Sequence, residues 1–327
     1  MAPISSRGKI VLTLLLLLAL ALPGALQAQS YPTKPIRLVV GFTPGGGVDI
    51  NARLLAAKLS EYLGQQVIVD NRPGAGTNIA NEFVAKAAPD GHTLLMSTAT
   101  VAINMALYKK LNYDTLRDFA AVSQFSASPN VLVVNASVPV TSVAQLVALA
   151  RAKPGALNYS SAGSGTTQHL SGELFKTRTG TDIVHVPYKG TAPALTALIA
   201  ANVDLSYANI PAIHQHVKSG RLRPLASTGP KRSELMPEVP TMKEAGVDME
   251  VVVWYGLLAP AATPPEIVSK LAELVARAAR SPDVRQRLLD QGAEPVGNTS
   301  EEFSRQLRTE VATWAEVVKA SGARVDE

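Results

Sequence analysis

Residues Gly41 to Asp49 read GFTPGGGVD and stand between an apolar run, Ile36 to Phe42, and an amphipathic run, Ile50 to Leu63. That order predicts a strand, a glycine loop and a helix. Gly45, Gly46 and Gly47 carry no Cβ, so their amides can turn into one hollow and approach a bound group closely. The following helix adds unpaired first-turn N–H groups and the positive end of its dipole, which favours an anion without any Lys or Arg. A second copy lies further along: the run Leu157 to Ser161, then Ala162, Gly163, Ser164, Gly165 and Thr166, then a helix-like stretch from Thr167 to Thr177. Two such loops, neither with a basic side chain, suggest a small anion held between two similar lobes.

The chain is long enough for two domains with real cores, having 327 residues, 46% of them hydrophobic and 17% charged. Its N-terminus reads as a secretory signal: Arg7 and Lys9, an apolar run from Ile10 to Leu22, and small or polar residues ending in Ala28. The unbroken apolar run is shorter than the roughly 20 residues that span a bilayer, so cleavage near Ala28 is expected rather than a permanent anchor. Leu26 sits where a small residue is preferred, and the cut falls within a residue or two. Losing residues 1–28 removes two basic residues and leaves 29 against 26 acids, a net charge of +3. So mild an excess makes no case for nucleic acid. There are no cysteines, which excludes disulfides, thiolate metal sites, cysteine nucleophiles and a lipidated N-terminal cysteine. A free soluble protein in an exported compartment is the expectation.

From Tyr31 to Met96 strands and helices alternate: strand Arg37 to Phe42, helix Ile50 to Leu63, strand Gln66 to Asp70, helix Asn78 to Ala88, strand His92 to Ser97. This is the rhythm of a parallel sheet covered by helices, which binds ligands beyond the C-terminal ends of its strands. The run changes character around Ser126 to Pro129, and Val131 to Asn135 begins another strand; a first crossing between lobes is placed there. A second α/β series runs to the strand Leu222 to Ser227. The aromatic run Val251 to Leu258 reads as the return crossing. Helices Pro265 to Arg280, Asp283 to Gln291 and Ser300 to Ser321 then complete the first lobe. The expected organisation is a signal peptide, 1–28, a discontinuous first lobe, 29–128 with 252–327, and a second lobe, 129–251. Two crossovers make a hinge, the geometry of clamshell binding proteins.

Several constellations carry two readings. Asp49 binds a ligand ammonium or water, or caps the first helix. Ser164, Thr166 and Thr167 donate hydroxyls to a carboxylate, or cap the helix after the second loop. Phe42, Tyr188, Tyr207, Trp254 and Tyr255 wall a pocket or pack the core, with Tyr188, in VPYKG, the favoured cleft residue. Asn71 to Thr77, NRPGAGT, has Ile79 where a dinucleotide fingerprint needs a third glycine, and reads as a turn presenting backbone near the cleft. Gly41 to Gly47 lacks the Lys and hydroxyl of a phosphate loop. A secreted hydrolase using Ser164 and His169 is disfavoured, because position 162 is alanine where a nucleophile elbow needs glycine and no acid is placed to orient the histidine. His214 and His216, two apart, fall on different helix faces and make a poor metal pair.

The motifs FTPGGGVD, NRPGAG, PDGHTLL (Pro89 to Leu95), YSSAGSGTTQHL (Tyr159 to Leu170), VPYKG (Val186 to Gly190), VPTMKEAG (Val239 to Gly246) and WYGLLAPAATP (Trp254 to Pro264) occur in this order. Together they resemble the Bug family, periplasmic solute receptors of the tripartite tricarboxylate transporter type, over nearly all the mature chain. The resemblance implies an α/β fold of two lobes, a type II-like periplasmic-binding-protein architecture, closing on a small organic carboxylate. In the family the two loops grip one carboxylate through amides, hydroxyls and bridging water. Carried onto this chain, the candidate ligand-binding residues are Phe42, Thr43, Pro44, Gly45, Gly46, Gly47, Asp49, Ser97, Ser161, Ala162, Gly163, Ser164, Gly165, Thr166, Tyr188 and Asp204. Many members carry an acid between the positions matching Tyr207 and Pro211. Alanine at 208 therefore tilts the reading toward a carboxylate without an amino group. The expected role is non-enzymatic, without cofactor or metal: a monomer that delivers its ligand to membrane permease subunits, or alternatively signals to a sensor without its own permease.

Overall fold

A computed structural model of the chain describes residues 31–323. The expected signal segment lies outside the described residues, and the body treated below begins at Lys34. Strands β1 (Ile36–Val40), β2 (Val67–Asn71) and β3 (Thr93–Ser97) alternate with helices α1 (Gly47–Leu63) and α2 (Asn78–Ala85), and α3 (Thr100–Leu107) follows. The long β4 (Phe119–Asn135) leads to α4 (Val143–Ala152), β5 (Asn158–Ser161), α5 (Thr167–Thr179), β6 (Val184–Pro187), α6 (Thr191–Ile199), β7 (Leu205–Asn209), α7 (Ile210–Lys218) and β8 (Leu222–Ser227). The chain returns through β9 (Val252–Pro260) and ends in α8 (Pro265–Arg280), α9 (Pro282–Asp290), β10 (Glu294–Pro295) and α10 (Ser300–Ser321).

The strands lie in the order β2-β1-β3-β9-β4-β7-β5-β6, with β8 and β10 also paired to β4. The first half, β2-β1-β3, and the second half, β7-β5-β6, are each parallel, whereas β9 and β4 run antiparallel to their neighbours. Ile36, Leu38, Val39 and Val40 are fully buried, as a parallel strand covered on both faces requires. In α8 the buried residues Val268, Leu271, Ala272, Val275 and Ala279 recur at helical spacing. Glu266 in its first turn and Arg277 and Arg280 in its last complement its dipole.

One strand joins the halves. Residues Phe119 to Pro129 of β4 pair with β9, and from Asn130 onward β4 pairs with β7 and β8. The strand expected to begin at Val131 instead runs on from Phe119 through Ser126 to Pro129. Their loop-like composition has a physical cause. Register shifts between Ala121 and Ser123 and between Gln124 and Ser126 bend the strand, and its small polar side chains bond outside the ladder. Ser123 Oγ donates to Asn298 O at 2.6 Å and Ser126 Oγ to Asn51 Oδ1 at 2.7 Å. Pro129, which has no N–H to give a ladder, stands where β4 changes partners. Helix α3 also escaped the sequence reading: six of its eight residues are buried, so it shows no polar stripe.

Helix α10 packs on α3 and β4 and also reaches α5 in the second half. It starts in a capping box, Thr299 and Glu302. Its Phe303 meets Trp254 of β9 edge-to-face at 5.2 Å, and both are buried. Gly256 is the reason they fit, since a Cβ there would strike the Phe303 ring. Gly256→Ala should therefore lower stability by about 1–3 kcal/mol, as overpacking does. Urea unfolding checks this, and Phe303→Leu in the same chain should recover part of the loss.

Candidate functional site

Five helices begin at one cleft. The N-caps of α1, α5, α6 and α7 are Gly46, Thr166, Gly190 and Asn209, and all four line it. The fifth helix, α3, supplies Thr100, its first residue, and the preceding Thr98. The arrangement follows from topology, because each helix leaves the C-terminal end of a parallel strand or of β7. The cleft holds about 630 Å³ with its open mouth included. Among the described residues, no Lys, Arg, His, Asp or Glu lines it. Its field is that of the helix ends, each worth roughly 0.3–1 kcal/mol to a negative charge.

In the first loop the side chain of Asp49 holds the backbone. It lies in the third position of α1, 3% exposed, because the helix starts at Gly47 rather than after Asp49. Its carboxylate accepts from Gly45 N, Arg53 Nε and Asn71 Nδ2, each at 2.9 Å. Burial raises its pKa, but these bonds outweigh burial and hold it below the ordinary carboxylate value. Gly47 is required by close approach: a Cβ would stand 2.6 Å from the Tyr255 hydroxyl. Burial pushes that hydroxyl's pKa up to about 12, so it stays neutral. Gly46 differs, with an extended backbone and nothing nearer to a Cβ than Thr43 O at 3.8 Å.

The second loop uses most of its amides on itself. Ala162 N donates to Gln168 Oε1 at 2.7 Å, Gly163 N to Ser161 Oγ at 3.1 Å, Gly165 N to His169 Nδ1 at 3.2 Å and Thr166 N to Gly163 O at 3.3 Å. The amides without a partner among the described residues include several one step further on, in the first helical turns: Gly47 and Val48, Thr167 and Gln168, and Thr191. Asn130 adds a side-chain donor. It is 2% exposed, and its Nδ2 has no partner among the described residues. The buried Oδ1 of Asn209, its cross-strand neighbour, is likewise unpaired.

Of the residues singled out in the sequence, Phe42, Thr43, Gly46, Gly47, Ala162 and Thr166 line this cleft. Gly163, Ser164 and Tyr188 line a chamber that adjoins it. Ser97, Ser161 and Gly165 are buried and Pro44 and Gly45 exposed, and none of the five lines either chamber. Asp204 lies away from them, beside the start of β7, where its carboxylate accepts from Asn158 N at 2.8 Å. Tyr207 and Trp254 are core residues, while Tyr255 reaches the cleft. Ala208 packs with Val131 and Ile210 in the core, so its lack of an acid says nothing about a ligand amine; Asn209 is the residue of that stretch on the cleft. Thr98, Asn130, Gln168, Thr191 and Asn209 went unrecognised. A search for every helix start that follows a strand end would have found four of them, all but Asn130.

Beneath the second loop lies a buried histidine pair. The rings of His169 and His185 stack at 4.0 Å, and His185 Nε2 shares a 2.7 Å hydrogen bond with Ser161 Oγ. Burial, reinforced by Lys176, lowers the pKa of His169 to about 4. Burial, with His169 next, lowers that of His185 to about 3. With Nδ1 accepting from Gly165, His169 props the loop.

Residues 51–323 match the model of the tripartite tricarboxylate transporter family receptor, TctC. The chain belongs to the TctC receptor family. BugT of Bordetella pertussis is 38% identical over 302 residues, 91% of this chain and 93% of that protein. The solved structure of R. palustris Rpa4515 with adipate has a TM-score of 0.84 and 42% identity, covering 89% of this chain and 98% of the other. MatC from Rhodopseudomonas palustris with bound malate has a TM-score of 0.81 and 33% identity, covering 88% and 100%. TctC receptors are two-lobed periplasmic binding proteins, and the α/β fold described above is theirs. No helix among the described residues of this TctC receptor is long and apolar enough to cross a membrane.

The histidine pair sets a pH response. Both imidazoles are held neutral in the fold with pKa values below the unfolded value of roughly 6.5, so the unfolded chain takes up protons first as pH falls. The receptor should lose a few kcal/mol, by order of magnitude, between about pH 6.5 and 4.5. Thermal unfolding across that window should show the loss, and His185→Gln should flatten it.

Proposed function

We propose that this chain is a receptor that captures a small organic carboxylate between its two lobes and presents it, unreacted, to a permease of the tripartite tricarboxylate type. The observation that carries the reading is a cleft with no charged side chain on which five helix N-termini converge. Such a site selects an anion by fixed dipoles and unpaired N–H groups. The adipate and malate held by the two R. palustris relatives support a carboxylate as that anion.

The carboxylate sits between the first turns of α1 and α5, taking N–H bonds from Gly47, Val48, Thr167 and Gln168, with Asn130 Nδ2 and the hydroxyls of Thr43 and Thr191 around it. The amides of Gly45, Ala162, Gly163 and Gly165 are held by Asp49, Gln168, Ser161 and His169, which preorganise the loops before ligand arrives. The first lobe comprises 29–128 and 252–327 and the second 129–251; the change of β4 partners beside Pro129 and the start of β9 at Val252 support these limits. Motion about the two crossings opens the cleft, and ligand shifts the population toward the closed form. Residues 1–28 direct export to the periplasm and are removed there.

Gly46→Val and Thr191→Val test the grip from opposite sides. The first adds methyl groups in open space on an extended backbone, and the second removes a hydroxyl at constant volume. Calorimetry of refolded, ligand-free protein against dicarboxylates and tricarboxylates should show each variant weakening the best ligand by more than tenfold, with an unchanged melting temperature in the absence of ligand. Unchanged affinity in both would remove the proposed grip.

A further inference from the structure

The cleft continues outward into a second chamber of about 1140 Å³. The two share Phe42, Thr43, Thr100, Ala162, Thr166 and Gly190, so a ligand seated inside has a direct path into it. The chamber's character is different. Phe42, Pro73, Ala75, Tyr108 and Tyr188 make its walls largely apolar, and burial raises the pKa of Tyr108 above its ordinary value, keeping it neutral. One charged side chain lines it, Lys189. Among the described residues that lysine is also the only charged one lining either chamber, and it forms no ion pair or hydrogen bond with any of them.

The backbone around Lys189 is fixed. Tyr188 N donates to Ser161 O at 3.0 Å and Gly190 N to Ala162 O at 3.1 Å, which ties the segment to both ends of the second loop's entry. Gly190, at φ +120°, would bring a Cβ within 3.5 Å of Thr43 Oγ1, so the two loops meet at this point. On the opposite wall Gly74 to Thr77 is strained, with φ of +132°, +46°, +59° and +79°, two of these at residues other than glycine. Surrounding bonds hold that turn. Asn104 Nδ2 donates to Gly76 O at 2.8 Å and to Asn78 Oδ1 at 2.7 Å, and Tyr113 donates to Asn78 Oδ1 at 2.7 Å. A Cβ on Gly76 would strike the Tyr108 hydroxyl. Rigid backbone, apolar walls and one unpaired cation at the rim define a place for the rest of a molecule whose anionic head lies deeper.

We infer that Lys189 determines specificity for a second carboxylate, so that the ligand is an α,ω-dicarboxylate whose apolar spacer lies along Phe42, Tyr108 and Tyr188. The inference rests on the proposed function, since it assumes the first carboxylate in the inner cleft. Lys189 approaches the distal carboxylate from the second lobe, while the spacer also touches first-lobe residues. A ligand long enough to reach Lys189 is therefore held at both ends across the cleft.

The test is calorimetry with α,ω-dicarboxylates from succinate to suberate and the monoacid matching each in carbon count, on the wild type, Lys189→Met and Lys189→Arg. The wild type should prefer the best dicarboxylate over its monoacid by about tenfold or more. Lys189→Met should erase that preference by weakening the dicarboxylate alone, leaving the monoacid within twofold, and Lys189→Arg should restore most of it. The wild-type preference should also shrink as salt rises, as an ion pair near solvent requires. Equal binding of monoacids and dicarboxylates, or a preference that survives in Lys189→Met, overturns the assignment of Lys189 while leaving the inner site standing. No binding by any acid overturns both, and thermal shifts against tricarboxylates and amino acids then show whether the inner site takes another carboxylate.

Discussion

Unpaired N–H groups at the starts of helices cannot be buried without a partner, and here three sets of them, from α1, α5 and α6, are brought to one cleft. That constraint explains the site's composition. A lysine or arginine would add charge but also a flexible chain needing its own space, whereas helix ends are fixed before ligand arrives and lose little entropy on binding. The parallel halves of the sheet exist in order to aim these helices. Gly47 then admits Tyr255, and Asp49 anchors Gly45, so that the loop around the first helix end keeps one shape.

The division of labour within the loops is finer than their glycine content suggests. Three glycine amides that look ready for a ligand, those of Gly45, Gly163 and Gly165, are taken by nearby side chains, while first-turn amides such as Gly47 and Thr167 are left open. Gln168, His169 and Ser161 each face inward to brace the second loop. The stacked imidazoles beneath it serve the same end at neutral pH, as uncharged props whose burial forbids protonation. The site is thus a rigid receptacle on each side, joined by a strand that bends.

Much of this was legible in the chain. The alternation of strands and helices, the two glycine loops and the order of seven motifs led to the right fold and family, because hydrophobic period and glycine punctuation are local signals. What failed to show was set by three-dimensional neighbours. Ser123, Ser126 and Pro129 imitate a loop, yet partners distant in sequence make them a strand. Helix α3 is buried on nearly every side, which hides its period. Asp49 and Gly165 look like ligand contacts until their own hydrogen bonds are seen, and Asn130 looks like any strand residue until its amide is found buried without a partner. The direction a side chain faces at a strand end, Ala208 inward and Asn209 toward the cleft, is likewise fixed only by packing.

The most direct test of the account is amide NMR of the isotopically labelled receptor, titrated to saturation with a dicarboxylate that calorimetry shows to bind. The amide protons of Gly47, Val48, Thr167 and Gln168 should move downfield together, as they gain a charged acceptor, while those of Gly45, Ala162 and Gly165 move little because their acceptors are already in place. Saturated binding that leaves the first four unmoved, or that shifts the loop glycines in their stead, would contradict the claim that helix ends hold the ligand.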